Sequence, residues 1–464
     1  MTTTDFSSLP LTPAMLSNIQ SLDFRKMTPI QAHGLPVILA GKDLLAQAKS
    51  GSGKTAAFAI GTLHKLEIRT YQVQALVLCP TRELAEQVST EIRRLARAIP
   101  NTKITTLCGG KPIAPQVASL EHQPHIVVGT PGRILAHLEK KSLQLDGVQT
   151  LVLDEADRML DMGFHDDIMQ IIEHTPRKRQ TLLFSATYPD GIKSISKAIQ
   201  DRPVDVRVES VHDDQKIKQV FYEIRESDRT RTLVALLQHY RPESCIVFCN
   251  TKLQCQQLAE ELKQCGFAAL ALHGDLEQKD RDQVLVRFAN RSCPVLIATD
   301  VAARGLDVKD LHAVINYELS PDPEVHIHRI GRTGRADKAG LAYSLFTASD
   351  KFRVKAIEEF IDHSVTIAST STLKPAVAET RPEFKSDPAM VTLTVSAGRK
   401  DKIRAGDILG ALTANSDLPG NKIGKIDIFD KYAYVAVDAA VARQALKILS
   451  EGKIKGRKFR VQKL

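Results

Sequence analysis

Apolar residues in this chain come in short unbroken runs, separated by stretches in which they recur every third or fourth position, and this alternation happens twice. The first series of runs lies at 75–79, 125–128, 150–153 and 181–185; the second lies at 244–249, 268–272, 294–298 and 313–316. Runs of this length bounded by helical segments predict parallel strands joined by helical crossovers, hence two doubly wound α/β domains. In such domains ligands bind outside the C-terminal ends of the strands. Residues 207–218 are polar and unpatterned and read as a hinge, and residues 371–388, rich in Thr, Pro, Glu and Ala, read as a linker. After the linker the pattern changes to strand 391–396, helix 404–413, strands 423–429 and 432–437, helix 438–449 and strand 458–462. The expected division is therefore 1–208, 209–370, a linker at 371–389, and 390–464.

Composition narrows the class. A chain of 464 residues with 43% hydrophobic content can fill several buried cores. It has no stretch of about 18 consecutive apolar residues, and its first ten residues lack the basic and apolar regions of a leader, so a soluble cytoplasmic protein without membrane contact is expected. The seven cysteines contain no C-x-x-C pair, which points to reduced, buried thiols. Charge matters through its location: residues 390–464 hold 15 Lys and Arg against 7 Asp and Glu, a net +8 out of +9 for the chain. The C-terminal unit therefore calls for a polyanion.

The glycine-rich segment Ala48-Lys49-Ser50-Gly51-Ser52-Gly53-Lys54-Thr55 lies between an apolar run, Leu44-Leu45-Ala46, and a helical pattern at 56–66. A glycine loop where a strand becomes a helix aims backbone N–H groups into one concavity, the place for a phosphate. Lys54 would supply a point charge to the β and γ phosphates of ATP, and the Thr55 hydroxyl a ligand for Mg²⁺. Asp154, after the run Leu151-Val152-Leu153, is the expected second metal contact, partly through water, and Glu155 beside it can take a proton from the attacking water. An ATPase follows from the pair. In the second α/β domain, the segment His328-Arg329-Ile330-Gly331-Arg332-Thr333-Gly334-Arg335 offers Arg332 and Arg335 as arginine fingers for the γ-phosphate.

With these segments in view, the chain resembles the DEAD-box RNA helicases over residues 6–347. The resemblance implies two tandem RecA-like parallel-sheet domains and RNA-stimulated ATP hydrolysis. It assigns Phe24-Arg25-Lys26-Met27-Thr28-Pro29-Ile30-Gln31 as the adenine-reading Q motif, with Thr28 and Gln31 at the base and Phe6 stacking on it. Met27 and Asp23 depart from the family's usual Pro and Gly. Asp307 is expected near the ribose, and Ser185, Thr187 and His328 in the coupling of the nucleotide site to RNA. RNA contacts are implied for Pro80, Thr81, Arg82, Gly110, Thr130, Arg133, Arg281 and Thr299, whose small hydroxyls, N–H groups and guanidinium groups suit phosphate and 2′-OH.

The C-terminal α+β unit resembles an RNA recognition motif (RRM), with departures. Lys431-Tyr432-Ala433-Tyr434-Val435 is similar to its aromatic strand, but the first strand, Val391-Thr392-Leu393-Thr394-Val395, offers no stacking aromatic. The basic residues Lys453, Lys455, Arg457, Lys458 and Arg460 are the alternative grip. Those departures resemble family members directed to large-subunit (23S) ribosomal RNA. They imply a monomer that anchors on an rRNA hairpin, opens adjacent duplexes locally and acts on the precursor of the large ribosomal subunit. Two alternatives stay open at this point: a DNA helicase or translocase, and an ATP-gated RNA clamp in which strand opening is incidental.

Overall fold

The protein, seen in a computed structural model, is described over residues 4–48, 52–187, 190–208, 217–303, 311–334, 340–373, 388–414 and 418–464. It divides into two compact units, the first holding one sheet and the second holding two.

The first sheet has seven parallel strands: β1 (Leu44–Gln47), β2 (Ala75–Leu78), β3 (Ile104–Leu107), β4 (Ile126–Gly129), β5 (Thr150–Leu153), β6 (Gln180–Ser185) and β7 (Val204–Arg207). Their order is β3-β4-β2-β5-β6-β1-β7. β2, β4 and β5 are buried at every position, which is why they appear in the sequence as unbroken apolar runs. Phe58, on the Lys54–His64 helix, packs on Phe184 of β6 with ring centroids 5.4 Å apart. Burying such a ring contributes about 2–3 kcal/mol and clamps that helix onto the sheet, so the residues at its N-terminus are held in place.

The second unit repeats the plan with β8 (Ile217–Glu223), β9 (Cys245–Phe248), β10 (Ala269–Leu272), β11 (Val295–Ala298), β12 (Ala313–Asn316), β13 (Gly340–Phe346) and β14 (Ile367–Ala368), all parallel, in the order β10-β11-β9-β12-β13-β8-β14. The polar stretch read as a hinge is shorter than expected. Arg207 closes β7 and β8 opens at Ile217, because alternate residues there, Val204, Val206, Ile217 and Gln219, turn toward the sheet while their neighbours face solvent. The rest of that stretch, 209–216, lies outside the described residues. At the far end, Leu373 is buried in the second core, so the start of the stretch read as a linker packs as part of this domain.

The small module has an antiparallel sheet, β15 (Met390–Val395), β16 (Ile423–Ile428), β17 (Ala433–Asp438) and β18 (Val461–Lys463), in the order β16-β17-β15-β18. Val391, Leu393, Val395, Ala433, Val435 and Val437 face its own core with Ile408, Leu412, Ala445 and Leu449 of its two helices. The opposite face is covered too. Thr392 is 0% exposed, its hydroxyl 2.7 Å from Ser292 Oγ and accepting from Asn290 Nδ2 at 3.3 Å, so the second α/β domain sits against this face.

Of the seven cysteines, all free, six are buried; Cys265 is exposed, against the expectation of uniformly buried thiols. It closes the helix Lys252–Gln264 at the surface, where no core position is available to it. Burial pushes the Cys79 thiol up, and pushes that of Cys108 to about 12, which keeps both protonated and inert.

Candidate active site and nucleic-acid interface

β6 lies between β1 and β5, so three strand exits bring the glycine loop, Ser185 and Asp154 to one end of the first sheet. Ala48 N–H donates to Ser185 O at 3.0 Å as the chain leaves β1. Gly53 caps the Lys54–His64 helix with φ +94°, a left-handed conformation. A Cβ there would stand 2.5 Å from Gln31 Nε2 and 2.8 Å from Thr28 Oγ1, so both conformation and space demand glycine. Gln31 reads the loop directly: its Nε2 donates to Gly53 O at 3.1 Å and its Oε1 accepts from Thr28 N at 2.9 Å.

Lys54 is only 5% exposed, and its Nζ lies 3.9 Å from Asp154 Oδ1. Neither of those atoms, nor the buried Ser52 Oγ, has a hydrogen-bond partner among the described residues. A buried ion pair this long, with no hydrogen bond to satisfy either atom, is costly. An ammonium, a hydroxyl and a carboxylate orphaned at a helix N-terminus fit a nucleotide's phosphates and their magnesium ion, with Thr55, partly exposed in the helix's first turn, beside them. Burial is the first cause that raises the Asp154 carboxyl to about 6, Lys54 opposes the rise and Glu155 adds to it. Glu155 follows with φ 52° and ψ 53°, the left-handed region, unusual for a non-glycine residue. That turn starts the Ala156–Asp161 helix immediately after the strand, setting Asp154 and Glu155 together at the exit of β5.

Asp157 ties this turn to the exit of β6. Its Oδ2 accepts from Ala186 N, Thr187 N and Thr187 Oγ1, each at 3.1 Å, while Ser185 Oγ donates to Thr187 O at 2.6 Å. Phe6 is 4% exposed and packs in the first core, in the same apolar cluster as Met27 and Ile30. Gly51, Asp307 and Arg335, three residues assigned to the nucleotide site from sequence, lie outside the described residues.

The neighbouring exits carry the residues assigned to RNA. Pro80 and Thr81 follow β2, and Thr81 Oγ1 accepts from Leu84 N at 3.2 Å to cap the helix that Arg82 begins. Gly110, φ +72°, lies under that arginine: a Cβ there would run into Arg82 Nη1. Thr130 caps the Pro131–Glu139 helix after β4, and Arg133 Nη2 donates to Lys111 O at 3.1 Å. In the second unit, Thr299 follows β11, and Arg281 Nη2 donates to Ala302 O at 2.9 Å on the next short helix, Asp300–Ala303. His328 lies in the last turn of the Pro323–Ile330 helix, and Arg332 follows it, partly exposed.

Arg329 was not singled out from sequence. Among the described residues it is the largest fully buried side chain, and it reaches Asp300, Asn316, Asn250 and the carbonyl of Glu318. A charged residue on a helix face otherwise lined by Ile330 and His326 was the available signal.

In the small module, Tyr434 is 2% exposed, packed edge-on to Phe429 and Tyr432. Asp282 and Asp280 of the second domain lie close enough to raise the phenols of both tyrosines, after burial itself. The stacking platform of an RRM is thus partly occupied within the chain. Lys453, Lys455, Arg457 and Lys458 are exposed in the segment that turns before β18, and Lys458, expected to open the last strand, precedes it, since β18 begins only at Val461. Lys455, at φ 53°, and Gly456, at φ +79°, reverse the chain there. Lys455 Nζ donates to Lys402 O at 3.0 Å and Arg457 Nη2 lies 3.5 Å from Asp401 Oδ1, so the turn leans on the Arg399–Asp401 loop.

Three families match in chain order: DEAD/DEAH box helicase over residues 28–195, helicase conserved C-terminal domain over 228–337, and DbpA RNA binding domain over 392–463. The chain is 52% identical over 465 aligned residues to the ATP-dependent RNA helicase DbpA of Escherichia coli, covering 99% of this chain and 100% of that one. It is 42% identical to the DEAD-box ATP-dependent RNA helicase CshA of Bacillus cereus, covering 81% of this chain and 71% of the relative. Among solved structures, S. cerevisiae Dbp5 bound to RNA and ADP BeF3 superposes with a TM-score of 0.71 at 32% identity, covering 79% of this chain and 96% of that one. With the phosphate loop, the carboxylate pair and the RNA-binding C-terminal module all in place, the chain belongs to the DEAD-box ATP-dependent RNA helicases.

Proposed function

We propose that this helicase locally opens or remodels large-subunit (23S) rRNA during assembly of the large ribosomal subunit, anchored to an rRNA hairpin by its C-terminal module. The observation that carries the reading is the basic turn at 453–458, exposed on a module whose sheet face is already packed against the second domain. The module then has its cationic turn, rather than its aromatic face, to offer to RNA. Likeness to the E. coli ATP-dependent RNA helicase across the whole chain supports the helicase part of this reading. The working division is 1–208, 209–370, a linker at 371–389, and 390–464.

Magnesium-bound ATP would supply the phosphoryl group and the electrophilic charge. Thr55 and Asp154 would hold the ion, Lys54, Ser52, Gly51, Gly53 and Ala48 the phosphates, and Thr28, Gln31 and Phe6 the base. Glu155 would take the proton from water, and Arg332 and Arg335 would meet the charge that develops on the γ-phosphate. Asp307 is assigned to the ribose. Through Asp157, the loop of Ser185 and Thr187 answers to the carboxylate turn, which with His328 gives RNA a route to the hydrolysis site. We place the protein in the cytoplasm as a monomer; among the described residues no helix is long and apolar enough to cross a membrane.

Crosslinking the bound RNA in cells and sequencing it tests the assignment. Enrichment of one large-subunit rRNA hairpin is the expected result, and a spread over messenger RNA would overturn it.

A further inference from the structure

Three segments assigned to RNA meet at the exits of β2, β3 and β4, and a buried polar pair lies beneath them. Gln116 is 9% exposed and belongs to the Ile113–Leu120 helix; His137 is 0% exposed and belongs to the Pro131–Glu139 helix. Gln116 Nε2 donates to Cys108 O at 3.0 Å, immediately before Gly109 and Gly110. Its Oε1 is left facing His137 Nε2 at 3.2 Å, so that nitrogen carries the proton. His137 Nδ1 then accepts from Ser142 Oγ at 2.8 Å, the shorter of that hydroxyl's two contacts, the other being to His137 O at 3.1 Å. Burial, with Arg133 and Lys140 adding to it, lowers the imidazole's pKa, which agrees with a neutral ring.

An apolar pair of similar shape would hold two helices together as well or better, since buried polar groups gain little net stability. What this pair adds is direction. It fixes the carbonyl that precedes the Gly110 turn, over which Arg82 lies, relative to the helix that begins at Thr130 and carries Arg133. Arg133 closes the same frame from outside through Lys111 O. Hydrogen-bonded frames of this kind specify one arrangement where apolar contacts allow sliding.

We infer that Gln116 and His137 are positioning residues for the RNA strand, setting the distance between the Gly109–Gly110 turn and the Thr130–Arg133 helix start. The inference rests on the reading that those segments contact RNA. Both side chains are buried, so their loss should weaken RNA engagement without altering the hydrolysis chemistry.

The test is RNA-stimulated ATPase on the full chain, titrated with RNA, for Gln116→Leu, His137→Leu, His137→Gln and His137→Asn, with Arg133→Ala as the control for direct contact. Gln116→Leu and His137→Leu should raise the RNA concentration for half-maximal stimulation roughly tenfold, the effect of losing one to two net hydrogen bonds. Turnover at saturating RNA and the half-saturating ATP concentration should stay within about twofold of the parent. His137→Gln keeps an amide within reach of Gln116 and should restore the parent value; His137→Asn is one bond shorter and should not. Should the leucine variants lose their melting transition, the Gln and Asn pair decides alone. If Arg133→Ala raises the half-saturating RNA while Gln116→Leu and His137→Asn do not, the positioning role is wrong. If Arg133→Ala has no effect either, the reading of this end of the sheet as an RNA surface has failed.

Discussion

Arg329 grips Asp300 with both arms of its guanidinium, Nε to Oδ1 and Nη2 to Oδ2, each at 2.7 Å. The remaining donors reach Asn316 Oδ1, Glu318 O and Asn250 Oδ1 at 3.3, 2.7 and 2.9 Å, and the plane lies 5.1 Å from the Phe248 ring centroid. One side chain therefore joins the exits of β9, β11 and β12 to the helix that ends just before Arg332. Arg329→Ala should destabilise the second unit by about 3 kcal/mol, because it leaves Asp300 without its partner. Arg329→Lys should recover part of that stability but not RNA-stimulated turnover, since an ammonium cannot reproduce the fork. Denaturant unfolding and ATPase assays on both variants check this; parent turnover in the lysine variant would show that charge alone suffices.

Glu155→Gln should leave ATP and RNA binding near parent values while lowering RNA-stimulated turnover by roughly 10²–10⁴-fold, the usual contribution of a general base. The left-handed turn that places Glu155 beside Asp154 is a property of the backbone and does not need the charge. Single-turnover hydrolysis with both ligands saturating is the measurement, and a rate close to the parent would remove Glu155 from the mechanism.

Asp154 predicts a pH signature. Its folded carboxyl is raised to about 6 from an ordinary value of 3.8, chiefly by burial, so between roughly pH 4 and 6 the folded state binds more protons than the unfolded one. Stability without metal should then fall as pH rises through that window, by on the order of 3 kcal/mol. Asp154→Asn should abolish the fall and, in chelator, make the first unit more stable than the parent above pH 6. A divalent cation needs the ionised form, so the affinity for magnesium-bound nucleotide should weaken as pH drops below about 6. Thermal melts at pH 4.5 and 7.5, with chelator and with magnesium nucleotide, decide it; a parent-like pH profile for the asparagine variant would mean that Asp154 is not the titrating group.

Legibility followed burial. β2, β4, β5, β9, β11 and β12 are buried at every position and were plain as apolar runs, and the phosphate loop was plain because only glycine suits Gly53. The edge strands β3, β7 and β14 are half exposed and carry no such run, so local patterning does not mark them; β13 and β8 are interior and partly or wholly apolar, yet lie outside the predicted series. Thr392 and Thr394 alternate with apolar residues like a solvated face, yet Thr392 is buried under Asn290 and Ser292. Which surface meets another domain is not encoded in local periodicity, and the role of Tyr434 depends on that contact.

The small module offers the sharpest separation of surfaces. Because Thr392 is covered by the second domain and Tyr434 is buried on the same face of the sheet, Tyr434→Ala should loosen the module from that domain, read as added hydrogen exchange at 278–292, more than it removes a stacking partner for RNA. Lys453, Lys455, Arg457 and Lys458 are exposed on the reversing turn, so replacing all four by Gln should leave both cores folded and weaken binding to an rRNA fragment. The slope of log affinity against log salt should shrink by about 0.7 to 0.9 for each phosphate no longer neutralised, so by roughly 3 if all four side chains reach a phosphate. Stimulation by excess random RNA should persist if the two α/β domains meet the RNA backbone as proposed, because backbone contacts read no sequence. Removing the module tests the same point only if the cut falls after Leu373, which is buried in the second core; a cut before it would unfill that core and mimic a loss of RNA binding. An unchanged salt slope in the four-glutamine protein, together with a lost preference for rRNA in Tyr434→Ala, would move the RNA grip from the basic turn to the aromatic face.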